Sequence, residues 1–508
     1  MSGPARGLHR FRRWFQAASL ATFVVLLTLT VWPLGRVFLG AFLVTDPLIA
    51  LNSAVNGVVV GPLVVGALVM LVAPLFVGRA FCGYVCPTGA LIEWLGPSRG
   101  LGRLSPGARE TLRKAPGFML LGVAGLALFA SGAFLFLDPL ALLTRTLTVL
   151  LYPAADRLLR LAGDLLYLVP AARIPVDYLT NLASGYFIFT RPLAYDLPLL
   201  VLGVAAGIIG LSWIEPRLWC RHLCPLGALL GLSGRFALLG RTVDVERCIT
   251  CGKCERVCPL DAVRDGYHAT DTSRCQLCME CADVCPTDAI GRGPKPASRP
   301  YSASRRSLLA GGALAFAVGF FNFTSLRRSE RNPRLVRPPG ARAEDEFLAL
   351  SSRCGQCLKV CPTNVLQPAV VHAGLEGVFT PRMDYQSGPC EWSCNECGKV
   401  CPTGAITALG LPRKRTTVIG RAYIDKNRCI PWADGQTCLV CQELCPLPDK
   451  AIAIEEGEML AADGRRVRLG RPRVDPEKCI GCGVCENVCP VPHRSAIEVY
   501  AAGSEERG

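Results

Sequence analysis

Four long apolar segments occupy the N-terminal part of the chain, at about residues 14–32, 57–78, 116–137 and 197–214. None of them contains a charged residue. A helix of about 20 apolar residues is long enough to cross the roughly 30 Å hydrocarbon layer of a bilayer. The pattern therefore predicts an α-helical membrane domain with four spans over residues 1–235.

These four segments form two similar halves. In each half the first segment is followed by Asp-Pro-Leu and the second by Cys-x3-Cys-Pro-x-Gly-Ala-Leu. Because both halves begin on the same side, they predict two parallel repeats about an axis near the membrane normal. The repeated polar residues are Asp46, Cys82 and Cys86 in the first half and Asp138, Cys220 and Cys224 in the second.

The second half carries an insertion at about residues 145–191. Leucines alternate with charged residues between positions 157 and 166, which predicts an amphipathic helix on the outer surface, with a packed fifth membrane element as the alternative. Arginines lie at the N-terminus and after the second and fourth segments, so those ends are expected in the cytoplasm.

A paired arginine, Arg305-Arg306, precedes a shorter apolar run that ends near Phe323. This combination predicts a twin-arginine export signal at residues 301–325, retained as a fifth, anchoring span. It would place residues 340–502 in the periplasm and make the chain a multi-pass protein of a bacterial inner membrane. The arginines after the run favour the opposite side, because basic residues usually stay in the cytoplasm.

Composition and net charge narrow the range of functions that the chain could have. The chain has 508 residues, 51% of them hydrophobic, and a formal net charge of +15. No compact basic region with interleaved aromatic residues occurs, so membrane topology explains the arginines better than nucleic-acid binding does. The 27 cysteines are odd in number and lie in a chain far longer than a small disulfide-stapled domain. Their spacing predicts metal chemistry instead.

The central region, residues 240–292, twice contains the two-cluster ferredoxin spacing Cys-x2-Cys-x2-Cys-x3-Cys-Pro. Three thiolates come from one tight loop, and the fourth, before the proline, reaches the other cluster. Zinc sites usually use isolated ligand pairs, and the Cys-x2-Cys-His signature of c-type haem is absent. We expect two [4Fe-4S] clusters, one on Cys248, Cys251, Cys254 and Cys285 and one on Cys275, Cys278, Cys281 and Cys258.

The C-terminal region contains four more cysteine groups. Four clusters would need sixteen ligands, but only fifteen cysteines are present, and the gap falls at Ser351, three residues before Cys354. This predicts serine ligation, a three-iron cluster, a fourth corner filled by another ligand, or no cluster there. The groups could pair as neighbours or as a nested set. The candidate ligands are Cys354, Cys357, Cys361, Cys390, Cys394, Cys397, Cys401, Cys429, Cys438, Cys441, Cys445, Cys479, Cys482, Cys485 and Cys489.

The two Cys-x3-Cys-Pro pairs lie outside these ferredoxin units. Thiols at i and i+4 of a helix face the same way, so the pairs could form redox disulfides, bind a metal or sulfur species, share a further centre, or be structural. His222 lies inside the second pair, whereas Tyr84 takes the equivalent place in the first. Asp46 and Asp138 could accept protons at the outer face or simply terminate a helix.

The N-terminal half resembles the NapH-type membrane iron–sulfur subunits of menaquinol dehydrogenase modules. The resemblance rests on the two Cys-x3-Cys-Pro motifs and the two-cluster region that follows. From Arg305-Arg306 onward, the chain is similar to the exported four-cluster ferredoxins of NapG or MauM type. The chain is therefore expected to be a fusion of the two. The resemblance implies oxidation of a quinol and delivery of electrons to a periplasmic cytochrome or reductase.

We therefore expect a helical membrane domain followed by α+β bacterial-ferredoxin-like domains, with about six [4Fe-4S] clusters. The favoured function is that of a quinol dehydrogenase subunit, with the membrane quinol pool as donor and no nucleic-acid partner. The alternatives are a membrane ferredoxin that reduces copper during maturation of a metal centre, and a regulatory or assembly protein. Electron transfer across about 30 Å of bilayer would need an intermediate, either quinone or a centre at the Cys-x3-Cys-Pro pairs.

Overall fold

A computed structural model gives the structure of the chain. Its N-terminal region is helical, and two regions of short helices and two-stranded sheets follow. The structure describes residues 8–31, 40–97, 104–128, 132–170, 173–183, 192–264, 266–294, 309, 311–313, 316–317, 320, 332–370, 373–374, 376–460 and 466–502.

Four helices of the N-terminal region begin at a proline that follows a capping aspartate or cysteine. Proline suits the first position of a helix because its fixed φ is already helical, and because the N–H that it lacks would have no partner there. The 3-10 helix Ala133–Leu137 and the π-helical turns Leu147–Leu151 and Trp219–Leu223 lie between the α-helices. The α-helices are α1 Leu8–Thr28, α2 Ala41–Val44, α3 Pro47–Val55, α4 Gly61–Val77, α5 Ala80–Tyr84, α6 Pro87–Leu95, α7 Pro106–Leu128, α8 Pro139–Thr146, α9 Tyr152–Tyr167, α10 Arg173–Ala183, α11 Pro198–Ile214 and α12 Pro225–Gly234.

The four-span membrane domain predicted from the apolar pattern is wrong. In the part of the chain that the structure describes, no helix has both the length and the apolar character needed to cross a bilayer. Helices α4 and α11 contain 17 residues each, about 26 Å at 1.5 Å per residue, against roughly 30 Å of hydrocarbon. Helices α1 and α7 are longer but carry charged residues in their first turns. The third apolar segment is divided between α7 and the 3-10 helix.

The predicted multi-pass inner-membrane localisation is wrong for the same reason, because it depended on those spans. The pair Arg305-Arg306 and most of the predicted fifth span, residues 301–325, lie outside the described residues.

The insertion in the second half is helical, as its alternating leucines predict. Helices α9 and α10 form it, and the side chains of Leu158, Leu161 and Leu165 are exposed on α9. The predicted place of this helix on a membrane surface depended on the membrane domain and is corrected with it.

The two sequence repeats interlock. Helix α6 of the first repeat packs against α8 and α11 of the second, and α12 of the second packs against α4 of the first. The Thr88 hydroxyl of α6 donates a hydrogen bond to the Pro139 carbonyl at the start of α8, at 2.6 Å. The Arg79 guanidinium donates one to the Cys220 carbonyl, at 3.1 Å. This crossed packing brings equivalent positions of the two repeats to one interface.

The central region has the α+β arrangement expected of a two-cluster ferredoxin. Strand β1 pairs with β4, with Val243 opposite Ile290, and β2 pairs with β3; both pairs are antiparallel. The first pairing places the start of the region beside its end, which closes the unit around its cysteine loops. Its elements are β1 Leu239–Val243, α13 Lys253–Val257, β2 Val263–Arg264, β3 Ala269–Thr270, α14 Glu280–Asp283 and β4 Ile290–Pro294.

The C-terminal region extends the same arrangement, which confirms the ferredoxin-like part of the predicted fold. Three antiparallel strand pairs form it, β5 with β6, β7 with β10, and β8 with β9. Its elements are α15 Glu344–Leu350, α16 Gln356–Val360, β5 Leu366–Pro368, β6 Pro381–Met383, α17 Glu396–Lys399, α18 Leu411–Thr416, β7 Gly420–Ile424, α19 Ile430–Ala433, α20 Val440–Glu443, β8 Ile452–Leu460, β9 Arg466–Val474, α21 Val484–Asn487 and β10 Ile497–Ala501.

The C-terminal region docks on the helical region through buried polar and apolar contacts. The Asn52 amide donates to the Ala349 carbonyl at 2.8 Å, and the Asn364 amide donates to the Ala194 carbonyl at 2.7 Å. One apolar core contains residues of both regions. The two regions therefore share an interior.

Candidate iron–sulfur centres

Two cavities of the central region are lined by the two cysteine sets that the spacing predicts. Each set takes three thiols from one loop and the fourth from the Cys-Pro of the other half. Site 1 contains Cys248, Cys251, Cys254 and Cys285. Site 2 contains Cys258, Cys275, Cys278 and Cys281.

Backbone conformation explains how these loops curve around a centre. Gly252 has φ 71°, and Leu277 and Met279 have φ 53° and 59°. Few non-glycine residues adopt this left-handed region, and a loop that does so turns successive N–H groups toward its interior. In the same unit the Ala262 N–H donates to the Cys258 sulfur at 3.2 Å.

The donor chemistry of both sites fits an iron–sulfur cluster. Each offers four thiols, and apolar side chains such as Ile249 in site 1 and Val263 in site 2 line the remaining wall. Thiolates are the protein ligands of [4Fe-4S] clusters, and N–H groups directed at sulfur tune their potentials. Where the chain is described, no three His, Cys, Asp or Glu side chains converge closely enough to hold a single metal ion.

The C-terminal cysteines pair between neighbouring groups. Three cavities each combine thiols of one cysteine group with the Cys-Pro cysteine of a neighbouring group. Two of them join the first group to the second, and one joins the third group to the fourth. Site 3 contains Cys354, Cys357 and Cys401 with Ser351; site 4 contains Cys361, Cys390, Cys394 and Cys397; site 6 contains Cys429, Cys438, Cys441 and Cys489.

The last four thiols form site 5, which consists of Cys445, Cys479, Cys482 and Cys485. Burial raises the pKa of Cys482 to about 12, with further contributions from the thiolates of Cys390, Cys479 and Cys445. The pKa of Cys485 is raised by burial and by the thiolates of Cys482 and Cys479. The closeness of these thiols completes the pairing of the third cysteine group with the fourth. It argues against the nested arrangement, in which the first group would pair with the fourth and the second with the third.

Ser351 lines site 3, at the position where the pattern lacks a cysteine. It follows the last turn of α15 and is buried. Ser352 lines the same cavity and hydrogen-bonds with the Cys354 thiol. The Arg353 guanidinium donates to the carbonyls of Ser351 and Glu376, at 3.0 and 2.7 Å. Site 3 therefore offers three thiols where each of the other five sites offers four, and the hydroxyls of Ser351 and Ser352 lie beside them.

Contacts between loops give the order of the C-terminal sites. The Cys390 N–H of site 4 donates to the Cys482 carbonyl of site 5 at 2.9 Å, and the Tyr385 hydroxyl donates to the Gly481 carbonyl at 2.6 Å. Sites 3 and 4 share two cysteine groups, as do sites 5 and 6. The order is therefore 3, 4, 5, 6, with site 3 nearest the helical region.

The two Cys-x3-Cys-Pro pairs meet at the repeat interface. Burial raises the pKa of the Cys86 thiol, and the thiolates of Cys82 and Cys220 raise it further. Burial also raises the pKa of Cys224, with contributions from the thiolates of Cys220 and Cys82. We call Cys82, Cys86, Cys220 and Cys224 the four-thiol cluster.

Asp46 and Asp138 are buried together in the same interface. Asp46 accepts the Leu48 N–H at 2.8 Å and Asp138 accepts the Ala141 N–H at 2.7 Å, so both cap helices. Their carboxyl groups also hydrogen-bond with each other. Burial raises the pKa of both, and the charge of Asp138 raises that of Asp46 further. Both carboxylates therefore cap the start of a helix, and proton acceptance stays a prediction.

His222 is buried beside charged groups. Burial, together with the positive charge of Arg274, lowers its pKa to about 4. A neutral imidazole packed near a guanidinium is consistent with a structural histidine.

Sequence reasoning missed a buried ionic network between the helical and central regions. Arg12 donates to Glu93 at 3.1 Å and pairs with Glu280 at 2.5 Å. Arg217 pairs with the same Glu93 and donates to Gln276 at 2.7 Å. The two arginines were expected to be cytoplasmic topology signals. No local pattern indicates the network, because its members are far apart in sequence.

Sequence models of iron–sulfur domains match most of the segments that hold these sites. A 4Fe-4S binding domain matches residues 59–104 and again 197–244, which confirms the internal repeat. Other 4Fe-4S binding domains match residues 241–264, 268–291 and 471–497, and a 4Fe-4S dicluster domain matches residues 352–405. The chain therefore carries several 4Fe-4S domains.

Curated relatives confirm the predicted similarity to MauM and NapG. The methylamine utilization ferredoxin-type protein MauM of Methylorubrum extorquens is 36% identical over 40% of this chain and 91% of its own length. The ferredoxin-type protein NapG of Escherichia coli is 35% identical over 40% of this chain and 87% of its own. MauN of M. extorquens, also a ferredoxin-type protein, is 28% identical over 50% of this chain and 77% of its own. No solved structure matches the chain.

Proposed function

The chain belongs to the family of ferredoxin-type proteins that includes MauM and NapG, and we propose that it conducts electrons through a linear series of six cluster sites. Iron–sulfur electron transfer itself follows from the family and the matched domains. The observation that carries the proposal is the continuous order of sites 3 to 6, each formed from neighbouring cysteine groups.

We assign three units to this function. Residues 1–235 form a helical body, residues 240–292 hold sites 1 and 2, and residues 340–502 hold sites 3 to 6. When bound, the clusters supply one-electron redox centres whose potentials depend on their surroundings. The chain holds them with thiols, excludes water with apolar walls and directs N–H groups at sulfur, as the Ala422 N–H does to Cys479 at 3.4 Å.

As the electron donor we propose a quinol, and as the acceptor a separate redox protein such as a periplasmic cytochrome or reductase. Two Cys-x3-Cys-Pro motifs followed by a two-cluster region resemble the pattern of NapH-type subunits, and this resemblance supports both assignments. A quinol releases two electrons, whereas each cluster accepts one, so a series of sites can separate the two electrons.

The test is anaerobic reduction of the full chain with its clusters reconstituted. We expect a soluble quinol analogue to bleach part of the visible cluster absorbance, and dithionite to bleach it further. Bleaching by dithionite alone would rule out the quinol donor and leave electron transfer intact. Failure of both reductants to bleach a chain that contains iron and sulfide would contradict the electron-transfer proposal itself.

A further inference from the structure

The four-thiol cluster is the set of buried reactive groups that the six sites leave unused. Sites 1 to 6 account for every other cysteine of the 27 in the chain. We propose that Cys82, Cys86, Cys220 and Cys224 together bind one additional [4Fe-4S] cluster, with two ligands from each sequence repeat.

The first argument is ligand number. The same 4Fe-4S binding domain matches residues 59–104 and 197–244. Each matched segment contains only two cysteines, one Cys-x3-Cys pair. A [4Fe-4S] cluster is held by four thiolates, so neither segment can hold one alone, and the two together supply the full number.

The second argument is tertiary packing. Cys82 and Cys224 pack against one apolar core, and Cys220 and Cys224 pack against the adjoining one. The Arg79 guanidinium, three residues before Cys82, donates to the Cys220 carbonyl at 3.1 Å. Helices α6 and α12, which follow the two pairs, each pack against helices of the opposite repeat. The interlocked fold thus places both pairs at the interface between the repeats.

The third argument is the equivalent local geometry of the two pairs. Cys86 caps the nine-residue helix α6, and its sulfur accepts the Gly89 N–H at 3.4 Å. Cys224 caps the ten-residue helix α12, and its sulfur accepts the Gly227 N–H at 3.3 Å. An N–H donor and a helix N-terminus both favour a thiolate over a thiol. The two pairs therefore have the same local geometry, as two halves of one shared site require.

The position of this cluster is between the two ferredoxin modules. On one side the Arg79 N–H donates to the Cys275 carbonyl of site 2 at 3.2 Å, and the Tyr84 hydroxyl donates to the Leu277 carbonyl at 2.9 Å. On the other side Cys354 of site 3 belongs to the same apolar core as Cys82 and Cys224. The cluster would join sites 1 and 2 to sites 3 to 6; this connecting role rests on the proposed function, but the site itself does not.

The test compares iron and acid-labile sulfide in the full chain and in the Cys82→Ser/Cys220→Ser variant, both reconstituted anaerobically. We expect the variant to lose about four iron and four sulfide per chain, the content of one [4Fe-4S] cluster. Thr88→Val is the matched control, because it removes a buried hydrogen bond of the same interface without removing a thiol. It should keep the wild-type content.

Two further readouts exclude the competing occupants. Mass spectrometry after alkylation reports disulfides, and metal analysis reports zinc; either one at these four thiols, or an unchanged iron content in the double variant, would overturn the proposal. A Cys86→Ser variant, which keeps three thiols, should show an altered electron paramagnetic resonance spectrum of one cluster with the other signals intact. An unaltered spectrum would contradict ligation even if the double variant misfolds.

A separate measurement tests the connecting role. In Cys82→Ser/Cys220→Ser, a quinol should reduce clusters on only one side of the interface, whereas dithionite should reduce all that remain. If the iron content falls but quinol still reduces both modules, the site stands and its place in the electron path does not.

Discussion

The central sites and the four-thiol cluster use cysteine in opposite ways. Sites 1 and 2 take all eight thiols from one short stretch, Cys248 to Cys285. The four-thiol cluster joins residues 138 positions apart, Cys82 with Cys220 and Cys86 with Cys224. Local loop conformation therefore decides the first kind of site, whereas the packing of two repeats decides the second. Local substitutions should change a ferredoxin site alone, and interface substitutions should change several regions together.

The largest change we predict for a local site is at Ser351. Ser351→Cys places a thiol three residues before Cys354 and completes the spacing of a four-cysteine set, so site 3 should gain a full ligand set. We expect about one more iron per chain and the loss of any three-iron signal in electron paramagnetic resonance of the oxidised protein.

Ser352→Cys is the matched control for this prediction. It adds a thiol to the same cavity at the wrong spacing, and it should leave the iron content unchanged. Equal effects of the two substitutions would show that the cavity, and not the loop spacing, selects the ligand.

The ionic network should show the opposite, long-range behaviour. Glu93→Gln leaves Arg12 and Arg217 buried without their shared carboxylate, and breaking a buried ion pair in this way costs about 3–5 kcal/mol of unfolding free energy. Chemical denaturation of the holoprotein measures it. Glu456→Gln, in a pair with Arg468 that is largely exposed, should cost less than about 1 kcal/mol. Similar costs for the two would mean that the network does not hold the central region to the helical region.

This contrast also explains what the sequence predicts and what it does not. The ligands of sites 1 and 2, the gap at Ser351 and the internal repeat are visible as spacing, because a cluster loop is a local structure. The apolar pattern failed at 57–78 because α4 begins only at Gly61 and ends at Val77, which leaves the helix too short. An apolar segment can be buried in a protein core as well as in a lipid bilayer, so its composition does not distinguish the two. Where its helix begins and ends decides whether that helix is long enough to cross a bilayer.

The spacing of cysteines along the chain does not predict which distant groups come together. The choice between neighbouring and nested cysteine groups depends on contacts such as the Cys390 N–H to the Cys482 carbonyl. The meeting of Asp46 with Asp138 likewise depends on two helix starts brought together by tertiary packing. Each Asp-Pro alone indicates only a helix cap.

A smaller effect is expected where the C-terminal region docks. Asn52→Ala removes the hydrogen bond to the Ala349 carbonyl and leaves that buried carbonyl without this donor, at a cost of about 1–3 kcal/mol. Denaturation together with limited proteolysis should show earlier release of the C-terminal region. Asn56→Ala removes a bond to the Asn52 carbonyl at the C-terminal end of α3, so it should lower stability without changing the order of cleavage. Identical cleavage patterns for the two variants would argue against Asn52 as a docking contact.

The carboxyl pair at the repeat interface should give the smallest effect, and one that depends on pH. Burial raises the pKa of Asp46 and Asp138 in the folded chain, although the nearby charge of Arg145 opposes this for Asp138. The folded state therefore binds more protons than the unfolded state above about pH 4, and stability falls as pH rises from there through the folded pKa.

Asp46→Asn keeps the helix cap and a donor toward Asp138 but has no proton to lose. The variant should match the wild type at acid pH and exceed it by roughly 1 kcal/mol at alkaline pH, with a shallower dependence in denaturation series across pH. Asp46→Ala, which also loses the cap, should instead be less stable by about 1 kcal/mol at acid pH. Parallel pH profiles for wild type and Asp46→Asn would mean that a raised pKa of Asp46 does not cause the pH dependence.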